Sequence, residues 1–229
     1  MENPWELIRT RHFNIFPEDE WTVRQHNQRC KNKPELQVQQ SLLPLPYVGN
    51  PAIARVILLG KNSSYSDVDD TDAERLPALV AENEKALTFE SAFPFFYLDP
   101  QFANTNGFAW WSQVLIDVLD ACAVRGSDWE TTASRIACVQ QHPYRSKKTF
   151  DLEPPSATQP FTLHLADQAA ARGAVFVMQY GDANARWWNE RMVNLPADYI
   201  RLNSSQTAKL SRRNMSPGDF DRLIGALVG

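Results

Sequence analysis

Four short apolar runs, Arg55 to Leu59, Ile136 to Gln140, Val175 to Gln179 and Tyr199 to Leu202, constrain the fold of this chain more than any other feature. Each is rich in Val, Ile or aromatic residues and bounded by polar or turn-forming ones, the pattern of a strand buried on both faces. Helical patterns separate them. Thr71 to Leu87 can start at an Asp or Thr cap, and Asn106 to Val124 carries Trp110, Trp111, Val114, Leu115, Val118 and Leu119 at helical spacing. Phe161 to Arg172 ends at Gly173, a natural C-cap; Asp182 can cap "ANARWWNERM", and Ser216 with Pro217 opens a last helix ending near Val228. Strand and helix in alternation predict an α/β fold, a three-layer α/β/α sandwich around a central four-stranded parallel sheet.

The 229 residues suit one such domain, placed at residues 41–229, preceded by an N-terminal helical or irregular extension over residues 1–40. Within that extension Pro4 to Arg11 is a helical candidate, and "RQHNQRCKNKPELQVQQ" shows little periodicity. The following "LLPLPYVGNP" is too rich in proline to be helical and predicts a turn-rich connection into the first strand. A composition of 43% hydrophobic and 22% charged residues supplies a sizeable core. No apolar run of bilayer length is expected, and "MENPWELIRTRHF" lacks the apolar stretch of a signal peptide, so a cytoplasmic protein with no membrane partner is predicted. Cys30, Cys122 and Cys138 are too few and too scattered for a disulfide framework or a CxxC metal site; Cys122 and Cys138 are expected in the core.

In parallel sheets ligands bind beyond the carboxyl ends of the strands, so the loops there carry the functional reading. After the first strand, "GKNSSYSDVDD" lacks P-loop glycine spacing and offers an amide, hydroxyls, a tyrosine and carboxylates. It reads either as a helix-capping loop or as the floor of a site. After the second strand, "QHPYRSKKTF" gives His142, an aromatic platform in Tyr144, and Arg145, Lys147 and Lys148, a mix able to grip phosphates and stack a base. After the fourth, "NSSQTAKLSRRNMSP" is small and polar, with Lys209, Arg212 and Arg213, suited either to a phosphate backbone or to a solvated surface. The four histidines never pair at ligand spacing, so no metal is expected. A serine hydrolase would need Ser63 or Ser64 with His142, without the usual G-x-S-x-G elbow.

Taken in order, these loops resemble those of the uracil-DNA glycosylase-like superfamily, whose members join a four-stranded parallel sheet to a Gly-x-Asn or Gly-x-Asp loop after the first strand and a Ser-rich late loop. Here "LLGKNSSYS" looks like the former and "LNSSQTAKLS" like the latter, while "PYVGNP", "FFYLDPQFANTNGFAWWSQVL" and "HPYRSKKTF" look like segments of divergent bacterial members. The similarity runs over about residues 42 to 228.

The resemblance implies a DNA glycosylase that flips and excises a damaged or modified base by hydrolysing its N-glycosidic bond, with no cofactor. Asn62 falls where some members hold the attacking water, and His142 is the second catalytic candidate. Gly60, Lys61, Ser63, Ser64, Tyr65, Phe96, Tyr97 and Asn104 are the implied base-binding residues. Lys147, Lys148, Ser204, Ser205, Lys209, Arg212 and Arg213 are the implied contacts to DNA, duplex or single-stranded. The chain departs from the family pattern in placing Ser63-Ser64 where Pro-Gly follows the Asn, and its late loop carries no His-Pro-Ser. A role in repair or in defence against phage DNA follows if turnover is retained. The alternative is a catalytically inactive nucleotide or nucleic-acid binding module of the same fold.

Overall fold

The computed structural model describes residues 1–204 and 206–229; Ser205 lies outside the described residues. After a 3₁₀ turn at Pro4–Arg9 come α1 (Glu20–Arg29), β1 (Tyr47–Val48), β2 (Val56–Leu59), α2 (Asp67–Arg75) and α3 (Pro77–Leu87). Then follow α4 (Asn106–Val124), α5 (Trp129–Ser134), β3 (Ile136–Val139), α6 (Gln159–Ala171), β4 (Val175–Met178), α7 (Gly181–Arg191), β5 (Ile200–Arg201) and α8 (Pro217–Val228). The sheet order is β1-β3-β2-β4-β5, with β1 antiparallel to β3 and every other pairing parallel. The fold is therefore mixed α/β, with helices around a five-stranded, mostly parallel sheet.

Burial follows the pleat. Val56 and Leu58, with Ile136, Cys138 and Val177, face Trp111, Leu115, Leu223 and Ile224 of α4 and α8. Their alternates Ile57, Leu59, Ala137 and Phe176 face Phe161, Leu165 and Ala169 of α6 and Trp188 of α7. Both faces are covered, which is why these strands are short unbroken apolar runs instead of alternating ones. Cys122 and Cys138 are buried thiols, as expected.

Differences from the expected elements have local causes. The single helix expected over Thr71 to Leu87 is two, because Pro77 has no N–H to donate and disfavours helical geometry at Leu76 (φ −127°, ψ 78°). The proline-rich connection contains β1, which adds an antiparallel edge the four apolar runs did not announce. Asp182 does not cap α7. The helix starts directly at Gly181 after Tyr180, whose φ of 62° lies in the left-handed region, and Asp182 in the first turn pairs with Arg201 at 3.2 Å. Helix α4 begins and ends where its periodicity places it, with the Thr105 hydroxyl accepting from the Phe108 N–H at 3.2 Å. By length and composition α4 could cross a bilayer, contrary to the expectation that no segment would; here one side of it packs on the sheet.

The first 40 residues lie against the sheet-bearing body. Trp5, Ile8 and Phe16 belong to the core on the α6 and α7 side, and Ile15, Val23 and Val38 pack with Tyr144, Phe150 and Leu152. Beyond residue 40 the chain brings Ser41–Leu43 over α2 and α3.

Candidate functional site

Side-chain alternation aims three amides at one place. Because Cys138 and Val177 face α4, residues two further along the same extended chain, Gln140 and Gln179, also emerge on the α4 side. Asn62, three residues beyond the end of β2, joins them, and all three are buried, at 7%, 5% and 1% exposure for Asn62, Gln140 and Gln179. A close approach at Gly60 makes this possible: a Cβ there would stand 2.2 Å from Gln140 Oε1.

The loops after β2 and β3 are laced together. His142 N–H donates to Lys61 O at 2.9 Å, Ser146 N–H to Ser63 O at 3.3 Å and Tyr65 N–H to Ser146 O at 3.0 Å, with a bridge between Ser64 and Ser146. Asn62 Nδ2 donates to Ser146 Oγ and to Ser63 O, both at 3.1 Å. That fixes the amide and leaves its Oδ1 buried without a partner. Gln140 Nε2 reaches only Cys138 Sγ, at 3.3 Å, so its Oε1 is also unpartnered; so is Gln179 Nε2. A buried polar atom without a partner costs about 1–3 kcal/mol. Two acceptors and one donor group are thus unpartnered on residues that line one cleft.

The rest of the cleft is aromatic. Tyr97, Trp110, Trp111 and Tyr180 line it with Ser63 and Ser64, around a cavity of about 70 Å³. That volume admits a few waters, while a planar heterocycle needs Trp110 or Tyr97 to swing aside. The Tyr97 ring lies so close to Gly107 at the start of α4 that a Cβ there would be 2.2 Å from the ring. Its hydroxyl accepts from Arg145 Nη2 at 2.9 Å, and burial raises its ionisation above the usual phenol range. Trp110 and Tyr180 also line a shallower groove that runs to Thr207, Ala208 and Lys209 of the late loop.

His142 opens elsewhere, into a cavity of about 270 Å³ on the α6 and α7 side, with Asp151, Arg186 and Trp187. Its ring stacks on Phe150 (centroids 5.1 Å apart, 24° between planes) and both ring nitrogens are buried without hydrogen-bond partners. Burial lowers its pKa, only partly opposed by Asp151, whose nearest oxygen is 4.0 Å from Nε2. His142 and then the Lys61 ammonium, 3.1 Å away, hold Asp151 well below the usual carboxylate range. Asn62 and His142 therefore line different cavities, and no Ser–His hydrogen bond of the hydrolase kind is present among the described residues.

Of the other expected base-binding residues, Ser63, Ser64 and Tyr97 line the cleft, and Gly60 shapes it through Gln140. Lys61 points to Asp151 instead. Tyr65 turns its hydroxyl to Asp70 and carries Lys147 Nζ 5.6 Å from its ring centroid. Phe96 is fully buried in the core, and Asn104 is exposed with its carbonyl on Arg75; Asn106, two residues on, lines the cleft. Among the expected phosphate contacts, Lys147 pairs with Asp67 at 2.8 Å, Lys148 with Glu35 at 3.6 Å, Lys209 with Asp117 at 2.9 Å and Arg212 with Asp221 at 2.8 Å. Arg213 is exposed, and the Ser204 N–H donates to Asn214 Oδ1 at 2.9 Å. Gln140, Gln179 and Arg145 complete the cleft and were not expected in it, although a Gln directly after two strands, in "CVQQ" and "VMQY", was visible.

Comparison with protein-family models, with curated proteins and with solved structures finds no match to this chain. Among the described residues no group of three or more His, Cys, Asp and Glu side chains has the spacing to hold a metal ion.

Proposed function

We propose that the strand-end cleft receives a nucleobase and that the protein is a glycosylase-like N-glycosyl hydrolase, acting on a base turned out of a nucleic acid. On this reading β3, β2, β4 and β5 correspond to the four parallel strands of the uracil-DNA glycosylase-like fold, with β1 added at one edge. The observation that carries it is the convergence of unpartnered atoms on Asn62, Gln140 and Gln179 beside aromatic walls. A nucleobase edge offers both donors and acceptors, and its faces suit Trp110 and Tyr97.

Asn62 Oδ1 would accept a hydrogen bond from water and hold its oxygen toward the sugar C1′. As the C1′–N bond lengthens, the sugar gains cationic character and the base takes the electron pair; the water oxygen then bonds to C1′. The proton it sheds ends on the departing base or in solvent, since an amide orients water without taking its proton. Gln179 Nε2 and the Arg145 guanidinium are the donors available to the developing negative charge. The groove from Trp110 to Lys209 gives a strand a way out of the cleft.

The test is to incubate the protein with single- and double-stranded oligonucleotides carrying uracil, other deaminated bases or bulky modified pyrimidines, and to score abasic sites. Turnover by wild type that Asn62→Ala loses is the expected result. Equal inertness of both across the panel removes the enzymatic reading.

A second reading, binding without turnover, is favoured by the separation of the two expected catalytic residues, since His142 lies in a different cavity from Asn62. Its mark is saturable, salt-dependent binding with no abasic product.

A further inference from the structure

Arg145 differs from its basic neighbours in direction. Lys147 and Lys148 reach solvent and surface carboxylates, whereas Arg145 turns inward to 8% exposure. Its Nη2 donates to Tyr97 and its Nε is buried with no partner. Among the described residues no carboxylate comes within 4.0 Å of the guanidinium. A buried cation without an ion pair is costly, and a well-placed, hydrogen-bonded anion offsets part of that cost.

Arg145 stands in the wall between the strand-end cleft and a second, larger cavity of about 290 Å³, roofed by His12–Asn14 and Ser41–Leu43 and floored by α2 and α3. The cavity takes its apolar lining from Phe13, Leu43, Leu79 and Val80. It holds one more orphan: Asn83, 5% exposed, whose Oδ1 is buried without a partner. The α2 carboxylates are already engaged. Asp69 accepts from Ser66 N–H at 2.6 Å, Asp70 from Gln39 Nε2 at 3.1 Å, and Asp72 from Arg75 at 3.0 Å and Asn106 N–H at 2.8 Å.

We infer that this cavity is a binding site for a small carboxylate with an apolar body, its carboxylate on the Arg145 guanidinium and its body against Phe13, Leu43 and Leu79. The planar guanidinium suits a two-oxygen anion, held through two N–H donors. A single negative charge is favoured over a phosphate dianion, because Asp69, Asp72 and Glu84 line the same space. Asn83 Oδ1 would accept from a hydroxyl or amide on a longer occupant. The volume, at the lower end of the roughly 300–1,000 Å³ of ordinary ligand pockets, keeps the occupant small. This site requires no nucleobase in the neighbouring cleft.

The full chain is titrated with benzoate, hexanoate, hexyl phosphate, hexanol and hexylamine, by calorimetry and through the ¹⁵N–¹H signal of Arg145 Nε. Saturable binding of the two carboxylates, with movement of that signal, is expected. Arg145→Gln should weaken it by at least about tenfold. Ala73→Phe, which fills the cavity and keeps Arg145, should abolish it, while Asn62→Ala should leave it unchanged and so separate this result from the fate of the nucleobase reading. No saturation by either carboxylate below about 10 mM, equal binding of hexanol or hexylamine, or undiminished binding to Arg145→Gln overturns the inference; tighter binding of hexyl phosphate overturns its carboxylate specificity. If Arg145→Gln does not fold, the wild-type signal and Ala73→Phe decide.

Discussion

On the α4 side the strands end at Asn62, Gln140 and Gln179, neutral amides fixed among aromatic rings; on the α6 and α7 side the loop after β3 ends at His142, beside Asp151 and Lys61. The first set can recognise polar edges at any ordinary pH, because nothing in it changes charge. The second set includes His142 and Asp151, whose pKa values are both lowered in the fold. Two cavities only a few residues apart in sequence thus offer different chemistry, because the chain leaves the extended strand after Gln140 and bends over residues 141–144, which turns His142 to the other side. Closeness along a loop, as between Gln140 and His142, does not place two side chains in one site, and neither does a shared place after neighbouring strands, as with Asn62 and His142.

The sharpest way to break this division is kinetic. With a substrate found by the base panel, Asn62→Ala should lower turnover by about 10²-fold or more, since a misplaced water forfeits its orientation. His142→Gln should cost less than about threefold, under ~0.7 kcal/mol of barrier. A His142→Gln loss as large as that of Asn62→Ala would merge the two cavities into one site.

Next in size is packing at the wall of the amide cleft. Gly107→Ala should destabilise the fold by about 1–3 kcal/mol, because the new methyl meets the Tyr97 ring. Urea unfolding measures it, and an unchanged midpoint would show that the ring yields freely.

A smaller effect separates the two cavities by pH. Burial depresses the pKa of His142 in the folded chain, so the unfolded chain binds a proton there first. The stability that His142 contributes is therefore complete above its unfolded value near 6.5 and is lost as pH falls from there toward the depressed folded value. Asp151, also depressed, adds a loss that starts below its unfolded value of 3.8. Melting temperatures from pH 7.5 to 5.5 should fall more for wild type than for His142→Gln, and parallel curves would remove His142 as the cause.

The smallest effect concerns the groove. Lys209→Ala should change folding stability by no more than about 0.5 kcal/mol, as its pair with Asp117 is largely solvated. If nucleic acid displaces that pair, the same substitution reduces the log–log salt slope of binding by about one. A slope untouched by Lys209→Ala would route the strand elsewhere.

Much of the framework was legible because its signals are local. Val56–Leu59, Ile136–Val139 and Val175–Met178 are β-branched or apolar runs between polar residues, and α4 is capped and periodic. The two-residue β1 was not, because Tyr47–Val48 is short, sits between Pro46 and Gly49, and owes its strand geometry to pairing with β3. The break at Pro77 is written in the sequence, as a proline inside a helical pattern that the expectation of one helix over Thr71 to Leu87 ran through. Within the site, Asn62 was visible from its place after a strand. Gln140 and Gln179 were hidden inside the runs themselves, where a terminal polar residue reads as a boundary. Nothing local distinguishes an inward Arg145 from an outward Lys147, since both follow the same turn and only the position of Tyr97 separates them.

The backbone bonds between the loops after β2 and β3, which join Ser63 and Tyr65 to Ser146, prolong the sheet past its last named strand residues. Asn62 and Arg145 are thereby carried on one hydrogen-bonded frame, not on two free loops. Ordering that a mobile loop would undergo at the moment of binding has already occurred during folding, and so a ligand meets less entropic opposition there. The amides of Ser146 and Tyr65 should accordingly exchange hydrogen with solvent on the slow timescale of the strands, ligand or no ligand.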